Sequence, residues 1–290
     1  MEVSSHALTL DRVAGVHFAV GFFTNLTEDH LDFHKDMEDY CDAKGKLFGI
    51  CDTGCVNADD AWMPRLVRGA SCRLMCYSTK SAADLTAEHI ALHSDGVEFD
   101  AVSGGERAHV RLGIPGAFTV YNALGVIQAA QALGLPLEKI AAALSTAQGV
   151  KGRAEVVPTP GKDYTVLIDY SHTPDSLENI LKTVRGFCRG HVIAVFGCGG
   201  DRDPFKRPIM GGIAARLADV AVVTSDNPRT EDPNEIIRQI VAGMDGAKTT
   251  PTVIENRPKA IEWAMDHAEP GDVIVLCGKG HETYQEIGHE

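Results

Sequence analysis

Val220-Ala221-Val222-Val223-Thr224-Ser225-Asp226-Asn227-Pro228-Arg229 is a β-branched apolar run that breaks abruptly into a polar tetrapeptide. Three other runs in the second half end the same way. Residues 166–168 stop in Asp169-Tyr170-Ser171-His172. Residues 192–196 stop in Gly197-Cys198-Gly199-Gly200-Asp201-Arg202, and residues 273–276 in Gly278-Lys279-Gly280-His281-Glu282. Short continuous apolar runs with helical periodicity between them read as buried parallel strands. In an open parallel sheet a ligand sits beyond the carboxyl ends of the strands. The four polar loops are therefore expected to converge on one crevice holding two arginines, several carboxylates, two histidines and glycines that allow close backbone approach. Such a mixture suits a zwitterionic, amino-acid-like ligand. Gly, Asp, Asn and Pro also punctuate ordinary turns, but four such loops in register favour a site.

The segments between these runs carry helix signals. Thr173 precedes Pro174, and Asp232 precedes Pro233, each an N-cap followed by proline at the first helical position. Leu177, Ile180, Leu181, Val184 and Phe187 mark one buried face; Ile236, Ile237, Ile240, Val241 and Met244 mark another. Asn256 and Pro258 open a third helix, and residues 208–217 form a further one. Residues 151–290 thus read as an α/β, Rossmann-like doubly wound domain. No Gly-x-Gly-x-x-Gly opens a βαβ unit, and no complete Gly-x-x-x-x-Gly-Lys-Ser/Thr occurs in the 290 residues, so neither a dinucleotide site nor a P-loop is supported.

The first half, residues 1–150, mixes patterns. Residues 16–23 read as a strand ending in Thr24-Asn25-Leu26-Thr27-Glu28-Asp29-His30, then Leu31-Asp32-Phe33-His34. This is either a solvated segment or a loop facing metal or phosphate, and its spacing does not choose between them. Met37, Tyr40, Cys41, Lys44, Leu47 and Phe48 recur at helical steps. Lys44 therefore falls within the apolar stripe. The plain reading is a snorkelling lysine. A buried amine also becomes nucleophilic, and reaction with carbon dioxide would turn it into a carbamate oxygen ligand for a hard cation such as Mg²⁺. A strand is expected within residues 46–60, with 47–51 overlapping the end of the helix, followed by β-like pieces at 73–77, 89–93, 97–99 and 109–112. A helix is expected over 121–133, and a second with Pro136 as its first residue. Residues 149–153 read as the linker between the two domains.

Net charge is −13, which disfavours nucleic acid and anionic membranes as partners. No apolar run approaches the roughly 20 residues of a membrane span, and the start of the chain lacks the pattern of a signal peptide. A cytoplasmic monomer is expected. The eight cysteines include two Cys-x-x-x-Cys pairs, 51/55 and 72/76, a spacing that does not support zinc; reduced thiols are expected. Residue 1 falls within functional-looking sequence and residue 290 follows no terminating signal, so a fragment of a longer chain is expected.

Several stretches resemble the Mur ligases of peptidoglycan synthesis, above all the branch that adds 2,6-diaminopimelate. They are Met1-Glu2-Val3-Ser4-Ser5-His6-Ala7-Leu8, residues 24–31, Ala43-Lys44, Gly152-Arg153, residues 169–175, residues 197–202, Asp226-Asn227-Pro228-Arg229 and residues 278–282. The resemblance implies a partial central ATPase domain followed by a carboxyl domain that binds the incoming amino acid. It also implies an ATP- and Mg²⁺-dependent amide ligase joining meso-diaminopimelate to UDP-MurNAc-L-Ala-D-Glu through an acyl phosphate. By this resemblance Glu2, His30 and Lys44, the last as N6-carboxylysine, match metal and catalytic positions. Ser4 and Arg12 match contacts to the muramoyl-dipeptide, and Asn122, Arg153, Asp169 and His172 match the ATP side. Arg202, Asp226, Asn227, Pro228, Arg229, Gly278 and Glu282 match the diaminopimelate pocket. Leu10 departs from a glutamine usual in the family, and Thr119 from an asparagine. Without a P-loop, the isolated 290-residue chain is expected not to turn over ATP. The alternatives are a ligase that adds lysine or extends folate with glutamate, and a non-catalytic amino-acid-binding module.

Overall fold

The computed structural model describes residues 1–27, 33–247 and 249–288. The described residues divide into two compact units. The first comprises Met1–Ala91, Glu98–Leu112 and Phe118–Ala147; the second comprises Gln148–Glu290 with Leu92–Val97 and Gly113–Ala117.

The first unit is built on a sheet of β1 (Phe18–Phe23), β2 (Cys51–Asn57), β3 (Arg73–Ser78), β4 (Leu85–His93), β5 (Gly96–Ser103) and β6 (Glu106–Leu112), in that spatial order. Strands β1 to β4 pair in parallel from one to the next. The helices are α1 (Ser5–Thr9), α2 (Met37–Gly45), α3 (Met63–Leu66), α4 (Ala117–Ala132) and α5 (Leu137–Leu144).

Three sequence expectations shift here. The strand expected within residues 46–60 starts only at Cys51, because Lys46–Gly49 is a 3₁₀ turn that tightens the end of α2. The cause is Phe48, which is 1% exposed and folds back over the sheet onto Gly54, where an added Cβ would lie 2.5 Å from its ring. Helix α4 begins at Ala117 rather than 121, directly after Gly116 at φ 107°. Its first turns contain the poor helix formers Thr119 and Val120, which are buried, so packing outweighs propensity. Pro136 caps α5 rather than opening it.

The second unit is a sheet in the order β11 (Thr252–Val253), β10 (Val220–Val223), β9 (Val192–Phe196), β12 (Val273–Cys277), β8 (Thr165–Asp169), β7 (Glu155–Val157). All neighbours are parallel except β7, which runs antiparallel to β8. Alternate strand residues face opposite layers. Leu167, Ala194, Phe196, Val223 and Val275 pack under α6 (Pro174–Arg185), α7 (Lys206–Leu217) and α8 (Pro233–Ala242). Val166, Ile193, Val195, Val222 and Ile274 pack under α9 (Arg257–Asp266). Both faces are thus covered, as continuous apolar strands require. Leu177 and Leu181 of α6 are wholly buried in this core; truncating either to alanine is expected to cost about 2–5 kcal/mol.

The helix starts behave as their sequences indicate. Thr173 Oγ1 accepts from Ser176 N at 3.3 Å while Ser176 Oγ accepts from Thr173 N at 3.0 Å, a reciprocal cap. Asp232 and Asn256 cap α8 and α9. These caps set where each strand-tip loop ends and its helix begins. All eight cysteines are free thiols. Among the described residues no helix is long and apolar enough to cross a membrane.

Candidate functional site

The loops after β8, β9, β10 and β12 meet in one cleft of about 560 Å³ in the second unit. His172 reaches it from the first loop, Gly199 and Arg202 from the second, Asp226, Asn227 and Arg229 from the third, and Gly278 and Glu282 from the fourth. Phe205, Lys206 and Ile209 at the start of α7 complete the wall. The two arginines therefore face the same space.

Asn227 is the hub of the third loop. Its Oδ1 accepts from Lys279 Nζ at 2.5 Å and from Glu286 N at 3.0 Å, and its Nδ2 donates to Glu282 Oε2 at 3.1 Å. Lys279 Nζ also pairs with Glu282 Oε2 at 2.8 Å. Burial works to raise the Glu282 carboxyl, but the bonds from Lys279 and Asn227 outweigh it and hold the group below the usual carboxylate range. Asp226 Oδ1 accepts from Asn227 N at 2.8 Å. Its other oxygen has no hydrogen-bond partner and faces Arg257 Nη1 at 3.8 Å. Gly278, at φ 106°, lies so close to that oxygen that a Cβ there would approach it to 2.5 Å.

Arg229 has φ 51°, an uncommon conformation for a residue with a Cβ. The surrounding bonds hold it there: its N–H donates to Glu286 O at 3.0 Å, and Gly288 N donates to its carbonyl at 2.7 Å. Its Nη1 donates to Gly200 O at 2.7 Å, and Nε pairs with Glu286 Oε2 at 2.9 Å. Arg202 is exposed, with Nη1 donating to Asp201 O at 3.2 Å.

Asp169 and His172 sit differently from each other. Both oxygens of Asp169 accept bonds from the chain: Oδ1 from Ser171 N at 2.9 Å and from the Ser171 hydroxyl, Oδ2 from Ala154 N at 2.8 Å. Asp169 thereby ties the 150s segment to the tip of β8. His172 is exposed, with Nδ1 2.7 Å from Tyr170 O. The Arg153 guanidinium lies 5.0 Å from the centre of the Tyr170 ring.

In the first unit Glu2, Ser4 and Lys44 line a second cleft of about 460 Å³ beside Gly21 and Thr24. Ser4 caps α1, accepting from Ala7 N at 3.1 Å. Lys44 is half-buried with its ammonium 5.1 Å from the centre of the Tyr40 ring, as its place on the apolar stripe of α2 led one to expect. Arg12 and Asn122 are exposed and do not line this cleft. His30 lies outside the described residues. Among the described residues no group of three or more His, Cys, Asp or Glu is arranged to hold a metal ion. His34 is a buried structural histidine whose Nε2 lies 2.9 Å from Ser5 Oγ.

Two features were not foreseen from sequence. Asp59, beyond β2, accepts from Ser78 Oγ at 2.6 Å, Thr79 N at 2.8 Å and Tyr121 OH at 2.9 Å, joining two strand tips to α4. The polar Asn57-Ala58-Asp59-Asp60 directly after an apolar strand is the signal that could have found it. The second is Arg207, which is buried at the start of α7.

Residues 1–130 match the family model described as the Mur ligase middle domain, and residues 152–280 the one described as Mur ligase, glutamate ligase domain. A UDP-N-acetylmuramoyl-L-alanyl-D-glutamate--2,6-diaminopimelate ligase of Clostridium acetobutylicum is 50% identical over 290 residues, covering 99% of this chain and 60% of that protein. One from Clostridioides difficile is 46% identical over 292 residues, covering 99% of this chain and 60% of its own length. The chain thus spans about three fifths of the length of the curated relatives it matches. A solved structure of a ligase of that same name superposes with a TM-score of 0.76 at 34% identity, covering 99% of this chain and 60% of the other. A MurF ligase from Thermotoga maritima in complex with ADP shares the fold at a TM-score of 0.66 and 15% identity, covering 96% of this chain and 62% of its own. Two adjoining Mur ligase domains matched in order, and relatives near half identity along essentially its whole length, place the chain in the Mur ligase family.

Proposed function

We propose that this chain is the part of an ATP-dependent amide ligase that selects meso-diaminopimelate and presents its amine to UDP-MurNAc-L-Ala-D-Glu. Residues 1–150 act as the central ATP-binding domain and residues 151–290 as the amino-acid-binding domain. The observation that carries the reading is that Arg202 and Arg229 line one cleft together with Asp226, Asn227, Gly278 and Glu282. Guanidinium groups grip carboxylates; carboxylates and amide oxygens receive ammonium groups. An amino acid with a carboxylate and an ammonium at each end matches that distribution. Arg229 reads the second carboxylate, which lysine lacks.

In this reading the D-glutamate carboxylate is phosphorylated by ATP, the diaminopimelate amine attacks the acyl carbon, and inorganic phosphate leaves. Asn122, Arg153, Asp169 and His172 belong to the nucleotide side, and Ser4 and Arg12 to the muramoyl-dipeptide. Mg²⁺ offsets the charge that develops on the phosphates. Glu2 is the one carboxylate among the described residues of the cleft that also holds Lys44. The fit to Mg²⁺ therefore rests on carbamylation of Lys44 and on His30. The reaction belongs to the cytoplasm, where its nucleotide substrates are found.

Calorimetric titration of the chain with meso-diaminopimelate and, separately, with L-lysine tests the reading. Diaminopimelate is expected to bind more tightly by about 10- to 100-fold, the scale of one charge-assisted bidentate contact. Equal affinity for the two would move the chain to the lysine-adding alternative, and no binding of either would remove the amino-acid site.

A further inference from the structure

The geometry points to Arg207 and Glu231 as a positioning joint that sets the separation of the loops bearing Arg202 and Arg229. Through that separation it sets the preference of the cleft for an amino acid with two carboxylates. The inference rests on the cleft reading given above and adds to it two residues that do not line the cleft.

Arg207 is 1% exposed, and its guanidinium makes a parallel fork to Glu231, Nη2 to Oε1 at 2.8 Å and Nη1 to Oε2 at 2.9 Å. Nη1 also donates to Gln239 Oε1 at 2.8 Å, which anchors the fork to α8. Nη2 points at Gly199 O at 3.4 Å. From the other side, Glu231 Oε1 accepts from Asp201 N at 2.6 Å. One carboxylate therefore holds the β9 loop at Asp201 and the start of α7 at Arg207. It sits two residues beyond Arg229, and Asp201 directly precedes Arg202.

Further contacts stitch the two loops together beside this joint. Asp201, at φ 52°, accepts from Thr230 Oγ1 at 2.8 Å, and Gly200 N donates to Asn227 O at 2.8 Å. A Cβ on Gly200 would stand 1.9 Å from Pro228 O, so the backbones are in direct contact. Arg229 then closes the arrangement through Gly200 O. Removing the joint would take from the left-handed Asp201 its bond to Glu231, and would loosen the loop whose Gly200 carbonyl holds Arg229.

Stability alone does not account for an arginine at this position. Burying the Arg207 guanidinium carries a desolvation cost that a half-exposed carboxylate partner does little more than offset, and an apolar residue of similar volume generally does as well. Arg207 Nε is moreover buried with no hydrogen-bond partner, a further cost. What a planar fork supplies and an apolar side chain does not is direction, and here it fixes direction in both arginine-bearing loops.

The test uses the 290-residue chain with Glu231→Gln, which is isosteric and half-exposed, with Arg207→Lys, and with Arg229→Ala as the reference for a direct contact. Calorimetry reads the affinities for meso-diaminopimelate and L-lysine, and hydrogen exchange reads the amides of Gly200 and Asp201. Glu231→Gln is expected to keep its melting temperature near wild type, to speed exchange at Asp201, and to weaken diaminopimelate by about 10- to 100-fold. Lysine binding should stay unchanged, so that discrimination collapses. Arg207→Lys, which keeps the charge and loses the fork, should fall between. Unchanged discrimination in Glu231→Gln while Arg229→Ala loses it would overturn the joint and leave the cleft reading standing, as would equal weakening of both ligands. A wild-type chain that binds neither amino acid would instead overturn the cleft reading, and the joint with it.

Discussion

Asp226 Oδ2 and Arg257 Nη1 face each other at 3.8 Å, both buried and neither in a hydrogen bond. Burial pushes the Arg257 guanidinium below its ordinary value, and the Asp226 charge opposes that shift. Arg257 is held in place by its other arm, Nη2 donating to Cys277 O at 2.6 Å. The pair thus joins the tip of β10 to the tip of β12 through the Asp226 oxygen that also lies nearest the Gly278 backbone. Arg257→Met strands the Asp226 charge in a site that is 8% exposed. Urea unfolding should show a loss of about 3 kcal/mol. A loss under about 1 kcal/mol would mean that solvent already screens the pair.

Arg229→Ala should weaken meso-diaminopimelate by about 30-fold, roughly 2 kcal/mol, while leaving L-lysine nearly unaffected. The substitution also removes the bonds to Gly200 O and Glu286, so the β9 loop loosens as well. Arg229→Lys separates the two effects. A lysine can hold Gly200 O but cannot present a planar fork to a carboxylate, so most of the affinity loss should remain. Full recovery with lysine would reduce Arg229 to a point charge.

The architecture of the second unit was legible because its strands are buried on both faces, which forces continuous apolar runs, and because its helices begin at Thr173, Asp232 and Asn256 with side chains that announce a cap. The crevice was legible for the same reason: strand ends in a parallel sheet lie on one edge, so the polar tails of four runs must be neighbours. The supporting residues were not. Arg207 differs from a solvated arginine only in that Glu231, 24 positions later, folds onto it. No periodicity records that. In the first unit Phe48 fitted both the helical stripe and the strand that follows it, whereas its position is decided by the space over Gly54. Contacts between distant segments override local pattern wherever a glycine makes room.

A pH dependence is built into the exposed face of β4, β5 and β6. Asp100 lies 2.9 Å from His89 Nδ1, 3.2 Å from His109 Nδ1 and 3.0 Å from Arg107 Nη1, with Glu88 and Glu98 beyond them. The hydrogen bond from His89, then that from His109, then Arg107 lower its carboxyl to about 2. The folded value lies below the unfolded one, so the contribution is fully present above the ordinary carboxylate range and is lost as pH falls from about 4 towards 2. Asp100→Asn should therefore be less stable than wild type at pH 5, with the gap closing by pH 2, as read by urea midpoints at about those two values. Other lowered carboxylates, Glu235 and Asp59 among them, titrate in both proteins and cancel in the difference. A gap that stays constant with pH would show that the cluster is not held by charge.

Lys44 offers the last prediction, because its surroundings make two chemistries possible. Its stem runs along α2 and its ammonium rests 5.1 Å from the Tyr40 ring centre, while its side chain lines the same cleft as Glu2 and Ser4. A stacked ammonium satisfies the charge and needs nothing further. A carbamate would reverse the sign and place two oxygens beside Glu2, which only a divalent cation makes favourable. The modification should therefore appear with Mg²⁺ and not without it. Carbon-13 spectra of the chain in labelled bicarbonate should show a carbamate resonance that requires Mg²⁺ and disappears in Lys44→Arg, an amine-free cation. A resonance independent of Mg²⁺, or one that survives the substitution, would separate carbamylation from metal binding and return Lys44 to the snorkelling role its helix position already satisfies.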